Sequence, residues 1–122
     1  MGDLTPHFSR SEFACKHCGK IVIPPSAMLV ALERLRVERF PKGLVLVSAY
    51  RCPIHNAAVG GKKASRHLAG DAVDIHPLVT VTEAHHYGFR GIGAQRASGL
   101  VVHLDWRPTP ALWFYDANGA TP

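Results

Sequence analysis

The residues best suited to chemistry in this chain are two histidines and two aspartates in its second half. His67 stands in a short polar segment, and Asp74 lies in the apolar segment that follows. His103 and Asp105 lie close together further along the chain. Two imidazoles and one carboxylate can hold a zinc ion and leave its fourth position to water, as in catalytic zinc sites. These residue types therefore indicate a hydrolytic metal centre.

Spacing alone leaves a simpler interpretation open. Single histidines are often satisfied groups of the surface or the core, and aspartates usually lie in solvated faces or ion pairs. The four residues form one site only if the elements that carry them meet in space.

The elements around these residues are predicted to bring them together. Residues 72–75 have strand character, and a glycine-containing turn separates them from His67. Residues 100–106 predict a further strand. Alternate residues of a strand share a face, so His103 and Asp105 point the same way. We therefore expect the two histidines to converge on the aspartate of the first strand.

The remainder of the chain predicts an α+β fold in a single domain over residues 1–122. Ser26 is placed to cap a helix whose apolar residues recur at helical spacing up to Pro41. The unbroken apolar run at residues 44–48 is typical of a buried central strand. One long helix would thus pack on a small, mainly antiparallel sheet, after an irregular N-terminal segment at residues 1–25. Shorter helices are predicted at residues 54–59 and 82–87, and strands at 91–95 and, as a sheet edge, 111–115.

Length and charge narrow the class of protein. A chain of 122 residues suffices for one core and not for two. No apolar run approaches the roughly 20 residues that cross a bilayer, and the N-terminus lacks the regions of a secretory signal. The 14 Lys and Arg residues against 9 Asp and Glu leave a charge of +5, which favours an anionic partner. We expect no membrane span and no leader within this sequence.

Several motifs, taken in order, resemble the zinc D-alanyl-D-alanine carboxypeptidase family of peptidoglycan peptidases, which includes phage endolysins and L,D- and D,D-peptidases. The central one is Ser65-x-His67-x-x-Gly70-x-Ala72-x-Asp74-Ile75. The others are Ser48-Ala49-Tyr50-Arg51-Cys52-Pro53-x-His55-Asn56, Val59-Gly60-Gly61, Gly91-Ile92-Gly93, Val102-His103-Leu104-Asp105-x-Arg107 and the opening His7-Phe8-Ser9-x-x-Glu12-Phe13. The likeness covers nearly the whole chain and is closest to the shorter members. It implies a Hedgehog/DD-peptidase-like fold.

The resemblance also implies a role for each matching residue. His67, Asp74 and His103 match the zinc ligands, so Zn²⁺ is the expected cofactor. Arg51 matches the arginine that binds a substrate carboxylate or carbonyl, a task suited to a guanidinium fork. Ser65 matches a serine that lies at the substrate. A structural ion pair for Arg51 and a turn-stabilising hydroxyl for Ser65 remain the alternatives.

The chain departs from the family pattern at the catalytic base. Many members carry a Glu or Asp three residues before the last ligand, or a His two residues before it, and here Leu100 and Val101 occupy those positions. Asp105 is the remaining candidate, because it shares a strand face with His103. Alternatively, Asp105 orients His103 or pairs with an arginine. His85 and His86 are weaker candidates for the base and are expected to be exposed.

The resemblance implies hydrolysis of an amide bond in the stem peptide or cross-link of peptidoglycan. The enzyme would act at the bacterial cell wall, in the periplasm, outside the cell or delivered by a phage virion, and as a monomer. The sequence does not show which bond is cleaved, nor whether the protein is of phage or bacterial origin.

Two other classes of function compete with this interpretation. A degenerate member would hold zinc and bind the wall, or build a phage structure, without cleaving. A nucleic-acid-binding zinc module would leave the central His and Asp residues without a task, and the basic residues form no stripe, so no nucleic-acid partner is expected.

The cysteines supply a second candidate site. Cys15 and Cys18, with Cys52 and His55, form two pairs at zinc-knuckle spacing, and His17 could replace a ligand. A structural zinc there would tie the N-terminal segment to the segment that holds Arg51. A disulfide from Cys52 to one of the other two cysteines, or free buried thiols, are the alternatives.

Overall fold

A five-stranded mixed sheet forms the centre of the α+β fold, in the computed structural model, which describes residues 2–116. The strands are β1 Val45–Ser48, β2 Ala72–Val79, β3 Gly91–Gln95, β4 Val101–Asp105 and β5 Ala111–Tyr115. They lie side by side in the order β1-β2-β4-β3-β5. All neighbours are antiparallel except β3 and β5, which are parallel. The sheet therefore has the two site-bearing strands, β2 and β4, next to each other.

Within the part of the chain that the structure describes, three α-helices accompany the sheet. They are α1 Ser26–Arg34, α2 Pro53–Ala58 and α3 Val81–His86. A π-helical turn, Leu35–Arg39, continues α1 toward Pro41, and single 3-10 turns lie at Arg10–Phe13 and Arg66–Ala69. Within residues 2–116, no helix has the length and apolar character needed to cross a bilayer.

The helix α1 and the sheet share one hydrophobic core. Met28 and Leu32 of α1 are fully buried, and they belong to the same cluster as Val73 of β2 and Leu104 of β4. The helical spacing of these apolar residues places them on one face of α1, which is why the sequence predicted this helix. The core lies under the sheet and fixes the strands that carry the site.

The prediction that β1 is a central strand is wrong. β1 lies at one edge of the sheet. Its residues alternate, since Leu46 is buried while Val45 and Val47 are 58% and 48% exposed. An unbroken apolar run does not reveal whether both faces of a strand are covered, so the pattern was compatible with either position.

Strand β2 is longer than predicted: it continues beyond residue 75, where the sequence analysis placed its end. The chain passes through His76 and Pro77 to Val79, and His76 pairs with Val45 of β1. The pairing of β2 with β4 shifts register between Asp74 and Val79. Proline donates no backbone hydrogen bond, so the ladder is interrupted there without ending the strand.

The N-terminal segment is docked on the body of the domain. Phe8 and Phe13 are buried in the common core. The Glu33 carboxylate of α1 accepts hydrogen bonds from the Thr5 hydroxyl, at 2.7 Å, and from the backbone N–H of His7, at 2.9 Å. The irregular segment is thus held by two aromatic anchors and one carboxylate.

Candidate metal centre

The structure brings the three predicted zinc ligands together. His67 Nε2 lies 3.1 Å from Asp74 Oδ1, and His103 Nδ1 lies 3.3 Å from the same oxygen. One donor atom from each residue lies within 4.8 Å of the others, and all three residues are buried. Asp74 and His103 are directly opposite each other in the β2–β4 pair, which places their side chains on one face.

The outer ring nitrogens of both histidines have acceptor partners. His67 Nδ1 donates to the carbonyl oxygen of Ala49 over 2.6 Å, and His103 Nε2 donates to Asp105 Oδ2 over 2.8 Å. These bonds leave Nε2 of His67 and Nδ1 of His103 directed at Asp74. Histidines that bind zinc characteristically donate their other N–H to a carbonyl or carboxylate in this way. The donor set and its supports therefore fit a zinc ion with three protein ligands.

A short turn positions His67, which is the buried residue of that turn. The 3-10 turn Arg66–Ala69 begins after Ser65, whose hydroxyl accepts from the backbone N–H of His67, and ends at Gly70. Gly70 has a φ of +81°, and a Cβ there would collide with the side chain of Val22. Only glycine adopts this φ without strain and also fits beside Val22. The predicted glycine turn between His67 and β2 is therefore found at Gly70.

Asp74 is ionised and strongly held. Burial raises the pKa of its carboxyl, but hydrogen bonds from His103 and His67 outweigh burial and lower that pKa to about 2. Its second oxygen accepts from the Arg51 guanidinium at 3.2 Å. The carboxylate is therefore a charged ligand at every pH at which the protein is expected to work.

Arg51 lies beside the site as predicted, but its guanidinium is buried among protein groups. It donates to Ser48 Oγ, Asn56 Oδ1 and Asp74 Oδ2, each at 3.2 Å. Its backbone N–H donates to the carbonyl of His67. These contacts correspond to the ion-pair alternative; binding of substrate by Arg51 stays a prediction.

Asp105 also lies at the site, behind His103. It is fully buried, and besides His103 it accepts from the backbone N–H and the guanidinium of Arg107. Burial raises the pKa of Asp105, but the bonds from His103 and Arg107 hold it well below the usual range. A Cβ on the neighbouring Gly91 would collide with this carboxylate. The role of catalytic base stays a prediction.

An open cavity of about 320 Å³ adjoins the metal centre at His103. Its walls comprise Lys62, Ala64, Ser65, Arg66, His103, Arg107, Trp113 and Tyr115. His85 and His86 are exposed on α3 and are not among these residues. Ser65 lies on this wall, and its hydroxyl also supports the turn at His67, as in the alternative; its contact with substrate stays a prediction.

Sequence reasoning missed the aromatic wall of this cavity. The Trp113 ring centroid lies 5.2 Å from that of His103, and the Arg107 guanidinium stacks 4.6 Å above the Trp113 ring. Tyr115 lies on the same face, and its burial raises its pKa to about 12. Strand alternation at residues 111–115 would have placed both rings on one face, but only the pairing of β5 with β3 shows which face that is.

Zinc binding is expected to displace a proton from His103. Burial lowers the pKa of His103, but its bonds to Asp105 and Asp74 outweigh burial and hold that pKa above its ordinary value. Below this pKa, apparent zinc affinity should fall about tenfold per pH unit, because metal and proton compete for Nδ1. Zinc titrations from about pH 5.5 to 8 test this. An affinity that stays flat across this range would contradict it.

Comparison with known proteins agrees with the metal centre. The family model described as Peptidase M15 matches residues 6–105, more than four-fifths of the chain and all three proposed ligands. Strand β5 with the aromatic wall lies beyond this match. No curated protein matches the chain. Peptidases of this family are zinc-dependent, and the match shows that the chain belongs to the peptidase M15 family of metallopeptidases.

Proposed function

We propose that the protein is a zinc-dependent peptidoglycan peptidase, similar to D-Ala-D-Ala carboxypeptidases and endolysins, with a Hedgehog/DD-peptidase-like fold. It hydrolyses an amide bond of the stem peptide or its cross-link. The observation that carries this proposal is the convergence of His67 and His103 on Asp74, with His103 also lining an open cavity. Its place of action is the bacterial cell wall.

His67 Nε2, a carboxylate oxygen of Asp74 and His103 Nδ1 are the atoms that would hold zinc. A bound zinc ion would act as a Lewis acid on the scissile carbonyl and would lower the pKa of water, so that a nucleophile is available at neutral pH. Ala49 and Asp105 keep the two imidazoles turned so that these nitrogens face the metal position. The protein thus provides a rigid ligand set with one side open to the cavity.

The cavity walls suit a peptide that carries carboxylates. Lys62, Arg66 and Arg107 line the cavity, where Arg66 pairs with Asp71 and Arg107 with Asp105, and Trp113 offers an apolar surface beside His103. The chain as a whole carries +5, which favours approach to an anionic wall. A stem peptide with its free carboxylates matches this combination of charge and shape.

Arg51 and Ser65 are assigned to substrate. The buried guanidinium of Arg51 uses three of its N–H groups on Ser48, Asn56 and Asp74. Binding of a substrate carboxylate or carbonyl by Arg51 would require one of these contacts to open, because the guanidinium is buried and its charge is paired with Asp74. The Ser65 hydroxyl accepts from the His67 N–H, so its own hydrogen is free to point at a bound peptide.

The contacts of Asp105 support a positioning role first. Its carboxylate accepts hydrogen bonds from His103 Nε2 and from the Arg107 guanidinium. Because these bonds lower the pKa of Asp105, its carboxylate is a weak acceptor for a further proton. To act as the base, it would have to loosen its pairing with Arg107. Both tasks are compatible with its location, and they differ in what its loss would do.

The Asp105→Asn variant separates the two tasks. If Asp105 positions His103, zinc affinity should fall about 10- to 100-fold, and activity should largely return at saturating zinc. Zinc titration and kcat/KM at several zinc concentrations measure both effects. Unchanged zinc affinity with activity lost by about 10²-fold or more would identify the base instead. The matched control is Asp116→Asn, an exposed carboxylate paired with Arg96.

Digestion of purified peptidoglycan tests the function itself. We expect the zinc-loaded protein to release muropeptides, a chelator to abolish the release, and added zinc to restore it. Mass spectrometry of the products identifies the bond that is cleaved. His67→Ala should lose zinc from the metal centre formed with Asp74 and His103, and should abolish the cleavage.

A zinc-holding wall-binding domain without activity is the second candidate. It is favoured by one observation: among the described residues that line the cavity, none is a carboxylate. A folded, zinc-loaded protein that sediments with peptidoglycan but cleaves no wall type would support this candidate and contradict the peptidase.

A further inference from the structure

A second cluster of metal-ligating side chains lies outside the metal centre. The sulfur atoms of Cys15, Cys18 and Cys52 all lie within 4.8 Å of one another. None of these cysteines forms a disulfide. Cys52 is separated from the other two by more than thirty residues of chain, so the fold itself brings the three thiols together.

The first two cysteines sit in a tight hairpin-like loop. Ala14 and Ile21 form an antiparallel bridge, and inside it the Cys15 N–H donates to Lys20 O while the Gly19 N–H donates to Cys15 O, both at 2.8 Å. This loop brings the sulfur atoms of Cys15 and Cys18 close to each other and to that of Cys52. It is the local geometry that two zinc ligands at this short spacing require.

Backbone N–H groups point at the sulfur atoms. The Cys52 N–H lies 3.4 Å from Cys15 Sγ, and the His55 N–H lies 3.4 Å from Cys52 Sγ. Such donors stabilise thiolates, which are the form that binds metal.

His17 is the candidate for a fourth ligand because it contacts Cys52, although it lies outside the group whose atoms are all within 4.8 Å of one another. Its Nδ1 lies 3.7 Å from Cys52 Sγ. Tetrahedral zinc with ordinary Zn–S and Zn–N bonds of about 2.3 and 2.0 Å separates two such ligands by about 3.6 Å. The His55 ring stacks parallel to the His17 ring with centroids 6.5 Å apart, and the contact of His55 with Cys52 is made by its backbone. The structure therefore favours His17 over His55.

We propose that Cys15, Cys18, Cys52 and His17 bind a second, structural zinc ion. Three thiolates and one imidazole fill all four positions of a tetrahedral site, so this ion leaves no place for water or substrate. A disulfide between any two of the cysteines would leave the third thiol unpaired in the same cluster.

The second zinc would fasten the N-terminal segment to the catalytic region. Cys52 caps the start of α2 and directly follows Arg51, whose guanidinium holds Asp74. Through these contacts the ion would stabilise the position of the Asp74 carboxylate, which contacts both His67 and His103. Its ligands differ from those of the metal centre, so the two sites can be emptied separately.

Metal content and cobalt spectra of the full chain test the proposal. Zinc-loaded protein should contain about two zinc ions, and Cys18→Ser and His67→Ala about one each, because each variant breaks one ligand set. Cobalt-loaded protein should show thiolate-to-cobalt charge-transfer absorption. That absorption should persist in His67→Ala, whose remaining site is the cysteine cluster, and should be weakened or lost in Cys18→Ser. Cys18 is exposed, so its substitution leaves no cavity in the core.

The fourth ligand has its own matched pair of variants. His17→Ala should weaken zinc retention at the cysteine cluster, whereas His55→Ala should leave it unchanged. The reverse result would overturn the assignment of His17.

Three results would overturn the site itself. One is wild-type protein that holds a single zinc ion and shows no charge-transfer absorption with cobalt. Another is a folded, zinc-loaded protein whose three thiols all react at once with a thiol reagent. The third is a mass that reveals a disulfide within the cluster. Because none of these readouts uses peptidoglycan, failure here is distinguishable from failure of the proposed peptidase.

Discussion

One buried carboxylate, that of Asp74, holds the site together. An isolated charge at this depth would be strongly unfavourable, and three cationic or donor groups offset that cost. His67 and His103 contact one oxygen, and Arg51 contacts the other. The backbone N–H of Arg51 in turn donates to the carbonyl of His67. Each of these residues is therefore fixed by the same carboxylate that would share a metal ion with the histidines.

The register of the sheet determines which residues lie next to the Asp74 carboxylate. β2 and β4 place Asp74 and His103 opposite each other, and β3 places Gly93 on the other side of His103. A Cβ at Gly93 would press on the Trp113 ring, so glycine there leaves room for the aromatic wall of the cavity. The aromatic side chains of this wall can thus approach the metal centre closely, while the hydrophobic core shared with α1 holds the strands in place.

Strand alternation and a glycine turn indicated from the sequence that His67, Asp74 and His103 could meet, and the resemblance to the peptidase family identified them as the expected ligands. Other features depend on contacts between distant segments. The position of β1 at an edge depends on which strands pair, and apolar content does not determine pairing. The aromatic wall depends on the parallel pairing of β5 with β3. The engagement of Asp105 with Arg107 depends on side-chain rotamers, which no spacing rule specifies. The gathering of the three cysteines likewise requires the fold.

The central claim is that zinc lies between His67, Asp74 and His103, and anomalous diffraction at the zinc edge tests it most directly. Crystals of the zinc-loaded protein should show a peak about 2.0–2.2 Å from His67 Nε2, an Asp74 carboxylate oxygen and His103 Nδ1. His103 Nε2 should still donate to Asp105. A zinc-loaded crystal without a peak at this position, or with the metal bound through Nε2 of His103, would contradict the account.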